Sequence, residues 1–353
     1  MSMHGTIASD ASAAPHPSAY RVRRIETNPI IRPHMGLRVG HNVQGPSLIR
    51  VPEWVTNPLG RYYLYFADHK GDHIRLAFAD HLEGPWRIHD AGALSLADSR
   101  YLTEAPAIPE GTTHARLVGT RPGMAPEHTP GVTPALSDAT CPHIASPDVH
   151  VDHGQQRIMM YLHGLTGFQT QRTRLALSSD GLNFETREPL LGPSYFRAFQ
   201  WQGMTYALAM PGRMLRSADG VSGFEPGPLV FDEPLQRHTA VRVRAPGELE
   251  VFWTRVGDVP ERILVSRIAL TSDWQQWRAG PPREVLRPEL PWEGVDLPQA
   301  PSWRSGIDLP VHQLRDPALF EEDGRTWLLY AVQGESGIAL AELIERPEAI
   351  TPA

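Results

Sequence analysis

Cysteine is nearly missing from this chain: Cys141 is the only one in 353 residues. That excludes an internal disulfide framework and a cysteine metal cluster. No apolar run approaches the roughly 18 residues of a membrane-crossing helix. Residues 1–19, made of Met, Ser, Ala, His, Pro and other residues with no apolar run, lack the basic start and apolar core of a secretion signal. They read as a disordered leader, and a cytoplasmic location is expected. No stretch keeps a helical period for three turns. Positive charge is not in excess either: the net charge is −7 and the basic residues are scattered. Nucleic acid is therefore not an expected partner, since it is held by clustered Lys and Arg. Gly-x-Gly-x-x-Gly, a phosphate loop ending Gly-Lys-Ser/Thr and a Gly-x-Ser-x-Gly elbow are all absent, which removes Rossmann dehydrogenases, nucleotide-driven kinases and typical serine hydrolases. No tight metal-ligand spacing such as His-Glu-x-x-His occurs, so neither metal nor cofactor is expected.

What the chain does have is a pattern repeated five times. The 34 prolines and 30 glycines punctuate turns throughout, and between them stand short apolar runs rich in β-branched and aromatic residues, as strands require. The clearest copy opens at Ser146-Pro147-Asp148, continues through Arg157–Tyr161, and closes at Arg174–Phe184 with Asp180-Gly181 inside. Its C-terminal counterpart runs Arg315-Asp316-Pro317-Ala318, then Arg325–Tyr330, then Gly337–Ala341. Looser copies start at Gly45-Pro46-Ser47, at Phe196-Arg197-Ala198-Phe199 and at Arg237-His238-Thr239-Ala240. The Asp180-Gly181, Asp219-Gly220 and Asp323-Gly324 pairs read as turn chemistry.

Repeated small antiparallel sheets predict an all-β fold, a five-bladed β-propeller over residues 20–345 with a short tail at 346–353. The last copy lacks an outermost strand. The alternating segment Tyr20–Ile25 is expected to supply it and latch the ring. A propeller turns the first strand of every blade toward one central funnel, so the residues opening those strands become site candidates.

The small-Pro-Asp openings, the Leu-Leu-Tyr second strands and the Leu-Ala-x-Ser-x-Asp-Gly-x-x-Phe close resemble the five-bladed propeller glycosidases, the arabinanase, β-xylosidase and invertase-like enzymes, over roughly residues 27–345. The resemblance implies a glycoside hydrolase acting on a small, neutral or acidic oligosaccharide. It also implies three acidic residues: a base or nucleophile on blade one, a pKa-tuning Asp on blade two and an acid on blade three. Asp148 stands at the blade-two position. Gly45 stands where the blade-one Asp belongs, and Arg197 lies in the opening that would carry the blade-three Glu.

Glycoside cleavage needs one group to protonate the leaving oxygen and another to activate water or attack the sugar. Asp148 and Asp316 are the carboxylates at strand openings. Glu293 and Glu104 lie on the long connections between blades four and five and between blades one and two, where function often sits. Each has a plainer reading: an Asp-Pro caps a turn, Arg315 pairs Asp316, and a loop Glu is simply solvated. His238 or His163 could donate the proton where a Glu is missing. His41, Asn42, His163, Arg197, Arg237 and Arg315 surround the expected funnel, with Trp292 as a sugar-stacking surface. The arginines suit an anion such as a uronate, a sulfated sugar or phosphate, or else pair with carboxylates between blades. A phosphorylase and a non-catalytic carbohydrate-binding propeller stand beside the hydrolase reading.

Overall fold

The apolar runs form strands because each is bounded by Gly, Pro or Asp turns and buries both faces, and five such sheets close into a ring. The structure, a computed structural model, describes residues 20–119, 121–244 and 246–346. The leader expected over 1–19, and all of the expected tail but Arg346, lie outside the described residues.

The chain begins with strand β1 (Tyr20–Arg24) and then builds the blades in order. Blade one holds β2 (Gln44–Arg50), β3 (Tyr62–Ala67), β4 (His73–Ala79) and β5 (Arg87–Ser95). The connection to blade two carries two short helices, α1 (His114–Gly119) and α2 (Ala135–Thr140). Blade two holds β6 (Ile144–Asp152), β7 (Arg157–Gly167) and β8 (Thr170–Ser178), with the short β9 (Glu185–Thr186) and β10 (Gly192–Pro193) both against β8. Blade three holds β11 (Arg197–Trp201), β12 (Met204–Ala209), β13 (Arg213–Ser217) and β14 (Glu225–Leu229). Blade four holds β15 (Gln236–Arg244), β16 (Glu248–Arg255), β17 (Ile263–Ala269) and β18 (Arg283–Leu286). Blade five holds β19 (Arg315–Glu322), β20 (Arg325–Ala331) and β21 (Ile338–Glu345). All pairings within the blades are antiparallel.

Apolar clusters fill the seams between neighbouring blades. Tyr63, Leu76, Ile144 and Met160 join blades one and two, for example, and Phe252, Val265, Leu328 and Tyr330 join blades four and five. Tyrosines cross the seams to the Asp-Gly turns: Tyr65 donates to Gly181 O at 2.8 Å and Tyr161 to Gly220 O at 2.6 Å. In those turns Asp180 Oδ1 accepts from the amides of Leu182 and Asn183, which is why Asp precedes Gly.

The latch is present. Strand β1 pairs antiparallel with β21, from Tyr20 opposite Glu345 to Arg24 opposite Ala341. Tyr20 Oη donates to Glu250 of blade four at 2.6 Å, and Arg242 ion-pairs the same carboxylate at 2.6 Å. Burial would push the Glu250 carboxyl up, but Tyr20, Arg242 and Arg244 hold it below the usual range. Glu250→Ala is expected to cost about 3 kcal/mol by removing the one fully buried carboxylate of this network, which leaves Arg242 only the exposed Glu321 and Glu345. The measurement is the denaturant midpoint, and an unchanged midpoint would show that this network does not hold the ring closed.

Inner strands β2, β6, β11, β15 and β19 pack round the axis. Each blade places one residue in the left-handed backbone region at this point: Gly45 (64°), Ser146 (50°), Tyr195 (66°), His238 (48°) and Asp316 (47°). In four blades the ladder slips by a bulge there. Such conformations cost about 1–3 kcal/mol in non-glycine residues and cluster at functional sites.

Candidate active site at the funnel

A cavity of about 350 Å³ opens at this end of the ring, with Gln44, Ser146, His163, Tyr195, Arg237 and His238 on its inner wall. Three of the five left-handed positions, Ser146, Tyr195 and His238, thus reach the cavity as side chains, and a fourth, Asp316, lies buried behind Tyr195. The fifth is Gly45, where an added Cβ would stand 3.2 Å from Ser146 Cα, on a left-handed backbone that disfavours any side chain.

Two long connections roof the cavity. The segment between β5 and β6 and the segment between β18 and β19 hydrogen-bond to each other: Arg304 N to Gly123 O at 2.7 Å, Asp308 N to Gly131 O at 2.8 Å, and Thr133 N to Gly306 O at 3.0 Å. They bring Arg121, Asp138 and Arg304 onto the cavity wall. Asp138 is ion-paired to Lys70 at 2.7 Å and Arg121 at 2.9 Å. Burial opposes its ionisation, but Lys70, His69 and Arg121 outweigh it and hold the carboxyl far below its usual range.

Asp316 lies behind the cavity wall, fully buried. Tyr195 Oη, on the cavity wall, donates to its Oδ1 at 2.7 Å, and His238 Nε2 lies 3.7 Å from the same oxygen. Its Oδ2 has no hydrogen-bond partner among the described residues. Burial, then the charge of Glu335, pushes the Asp316 carboxyl up to about 6, against Tyr195, Arg237 and Arg315.

Beneath lies a buried ion network. Glu335 accepts from Arg315 Nη1 and from Asn42 Nδ2, each at 2.7 Å. His69 Nδ1 stands 3.4 Å from it. Glu261 meets Arg315 at 3.2 Å and Arg237 at 3.7 Å. Burial opposes the ionisation of Glu335, but His69, Arg315 and Arg237 hold it strongly ionised. His238 Nε2 faces the Arg237 guanidinium at 3.0 Å and so accepts from it. Burial first, then Arg237 and Arg315, push that imidazole well below its ordinary value, which leaves it neutral.

No family model matches the chain. An uncharacterized protein of Acanthamoeba polyphaga mimivirus is 32% identical over 349 residues, spanning 91% of this chain and 90% of that one. The chain belongs to that protein's family. Several solved structures share the fold at low identity. A glycosyl hydrolase from Bacteroides ovatus aligns with a TM-score of 0.57 at 11% identity, over 93% of this chain and 95% of that one. A structure from a family of mannoside phosphorylases, containing glycoside hydrolases that target β-1,2 mannosidic linkages in Candida mannan, gives 0.55 at 12%, over 96% and 98%. A β-xylosidase/α-arabinofuranosidase from a compost microbial metagenome gives 0.52 at 10%, over 94% and 96%. At such identities the likeness establishes the five-bladed propeller for this family member and nothing finer.

The structure gathers some expected site residues and disperses others. Asp316, His238, His163 and Arg237 meet at the funnel, and Arg315 and Asn42 lie in the network below it. Asp148 does not line the cavity. Its Oδ2 accepts from Ala198 N at 2.7 Å and from His150 Nε2 at 2.8 Å, tying blade two to blade three. Ser146, two residues earlier, takes the wall position. Glu293 is fully buried elsewhere, gripped by Arg24 at 2.7 Å and by Tyr330 Oη at 2.9 Å, so it fastens the latch to its connection. Trp292 and His41 line a separate surface depression beside Asp308 and Gln333. Glu104 is exposed. Arg197 is spent on the carbonyls of Thr239, Phe196 and Ser146 and stacks 4.2 Å over the Tyr195 ring.

Several residues of the site carried no strand-opening signal. Glu261 and Glu335 lie in turns, Glu335 between Gly334 and Gly337, and Tyr195 precedes its strand. The one available clue was a turn carboxylate hemmed by glycines.

Proposed function

We propose that this protein is a glycoside hydrolase acting on the end of a small oligosaccharide, with Asp316 as the source of the proton for the leaving oxygen. One observation carries this reading: a fully buried carboxyl raised to about 6 lies one hydrogen bond beneath a cavity whose wall holds an ionised carboxylate, Asp138. Carboxyl groups whose environments push them in opposite directions divide acid and base work between them.

Tyr195 joins Asp316 to the cavity. In the acid form the Asp316 carboxyl donates to Tyr195 Oη, reversing the bond made to the carboxylate. The hydroxyl can then pass its own proton to the glycosidic oxygen as the carboxyl replaces it. Asp138, kept ionised but weakly basic by Lys70 and Arg121, is the wall carboxylate that can orient the attacking water. The neutral His238 and the Arg237 guanidinium fix the position of this pair. The roof closes the cavity against a long chain lying across it, which favours a substrate presented by its end.

The test is sugar release from a panel of neutral and acidic oligosaccharides across pH. Because the acid form of Asp316 is the working form, kcat/KM is expected to fall about tenfold per pH unit above a value near 6. A profile flat from pH 5 to 8 on a substrate that is cleaved would remove Asp316 as the acid. No cleavage across the panel would count against the hydrolase reading itself.

A further inference from the structure

We propose that the mouth of the funnel is an oxyanion-binding subsite centred on Arg304, which takes a phosphate or a carboxylate group. The cavity wall carries Arg121, Arg172, Arg237 and Arg304 against one carboxylate, Asp138, which Lys70 and Arg121 already hold. Arg237 is matched from below by Glu261 and Glu335. Arg304 is not matched. Its Nε donates to Pro122 O at 2.9 Å, its Nη2 to Pro234 O at 2.6 Å, and its Nη1 points to Met210 Sδ at 3.9 Å. Among the described residues no carboxylate lies within ion-pair distance of Arg304 or of Arg172, which is exposed on the same wall.

A half-buried guanidinium without a counter-charge, facing other guanidiniums, is an unfavourable arrangement unless an anion completes it. The electrostatics agree: burial first, then repulsion from Arg237 and Arg121, pulls Arg304 down to about 10. Donors deeper in the cavity point the same way. His163 Nδ1 and Gln44 Nε2, on the wall, have no hydrogen-bond partner among the described residues. His163 is 6% exposed and Gln44 2%, so bulk water is a poor substitute. The arginines of this grip come from the roof and wall, because the strand-opening Arg315 and Arg197 are occupied inside the ring.

The choice of ligand rests on the glycoside-cleaving reading, and the anion has two possible sources. It is the carboxylate of an acidic sugar, or it is inorganic phosphate acting in place of water. In the second case a phosphate oxygen bonds to the anomeric carbon and the bond from that carbon to the glycosidic oxygen breaks. The departing oxygen takes the proton that Asp316 supplies, and nothing is oxidised or reduced.

Calorimetric titration of the full chain with inorganic phosphate, galacturonate and galactose tests the subsite, alongside Arg304→Gln and Arg172→Gln. The wild type is expected to bind at least one of the two anions and to lose about tenfold or more in affinity for it in Arg304→Gln. Arg172→Gln, on an exposed wall where it cannot endanger folding, is expected to lose less, and it supplies the reading should Arg304→Gln not fold. Phosphate binding with a sugar phosphate among the products identifies phosphate as the co-substrate. Galacturonate binding alone identifies an acidic sugar. Failure of the wild type to bind either anion, or unchanged affinity in both variants, overturns the subsite. Anion binding without cleavage of any glycoside would sink the hydrolase reading and leave the subsite standing, and cleavage without anion binding would do the reverse.

Discussion

Asp316→Asn is expected to abolish glycoside cleavage and, at the same time, to make the protein more stable at pH 8. Loss of a general acid costs about 10²–10⁴ in rate. The stability gain follows from linkage. Asp316 is pushed up to about 6 in the folded state, above its value in the unfolded chain. Its contribution to stability is therefore complete at pH values below about 4 and is lost as pH rises through 6. By pH 8 the ionised, buried carboxylate costs on the order of 3 kcal/mol. Asparagine carries no charge, can still accept from Tyr195 Oη, and tolerates the left-handed backbone at this position. The melting temperature of Asp316→Asn should therefore exceed that of the wild type at pH 8 and match it near pH 4. A variant that is less stable at both pH values would falsify the account of this carboxyl as a strained group, and one that still cleaves would remove it from the chemistry.

Glu335→Gln should be the most damaging conservative change in the chain. Its carboxylate meets Arg315 and Asn42 at 2.7 Å and faces Arg237 at 3.9 Å, all of them buried. Removing one negative charge leaves two guanidiniums sharing Glu261. Breaking a buried ion network from one side costs about 3–5 kcal/mol, a fall in melting temperature of roughly 10 °C in a domain of this size. A second readout separates this change from simple loosening. The Glu335 charge helps to raise Asp316, so any remaining activity should show its alkaline limb displaced below pH 6. A stable variant with an unmoved limb would mean that the network neither holds the ring nor tunes the acid.

The fold was legible because a propeller writes itself locally. Apart from β1, each blade's strands are consecutive, and short-range cues such as Ser178-Ser179-Asp180-Gly181 set the turns that the tyrosines of the preceding blade then reach. Even the latch could be read, from the alternation of Tyr20–Ile25 and a last blade one strand short. The site was legible only where the strand-opening rule survived. At Ser146-Pro147-Asp148 the bulge and the left-handed residue break the two-residue alternation of side chains. The position turned to the cavity is therefore Ser146, and Asp148 is turned toward blade three. At Asp316-Pro317 the same geometry puts the carboxylate itself on the left-handed residue, behind Tyr195. Glu261, Glu335 and Arg304 lie in turns and connections whose meeting depends on closure of the ring, so nothing local announced them. Glu293 looked functional for the same reason: its partner, Arg24, lies at the other end of the chain.

The latch also dictates an order of manufacture. Residues 20–24 leave the ribosome long before their partners, residues 341–345. At ordinary elongation rates the two strands emerge on the order of tens of seconds apart. Blades one to four can form in that interval, but the side of blade one that holds Val43, Leu48 and Leu64 and the side of blade four that holds Phe252 and Val265 wait for blade five to cover them. The nascent protein therefore carries two open apolar seams until blade five has emerged. A message truncated between blades four and five would yield a product with both seams exposed and its first strand unpaired, a substrate for proteases rather than a smaller folded protein.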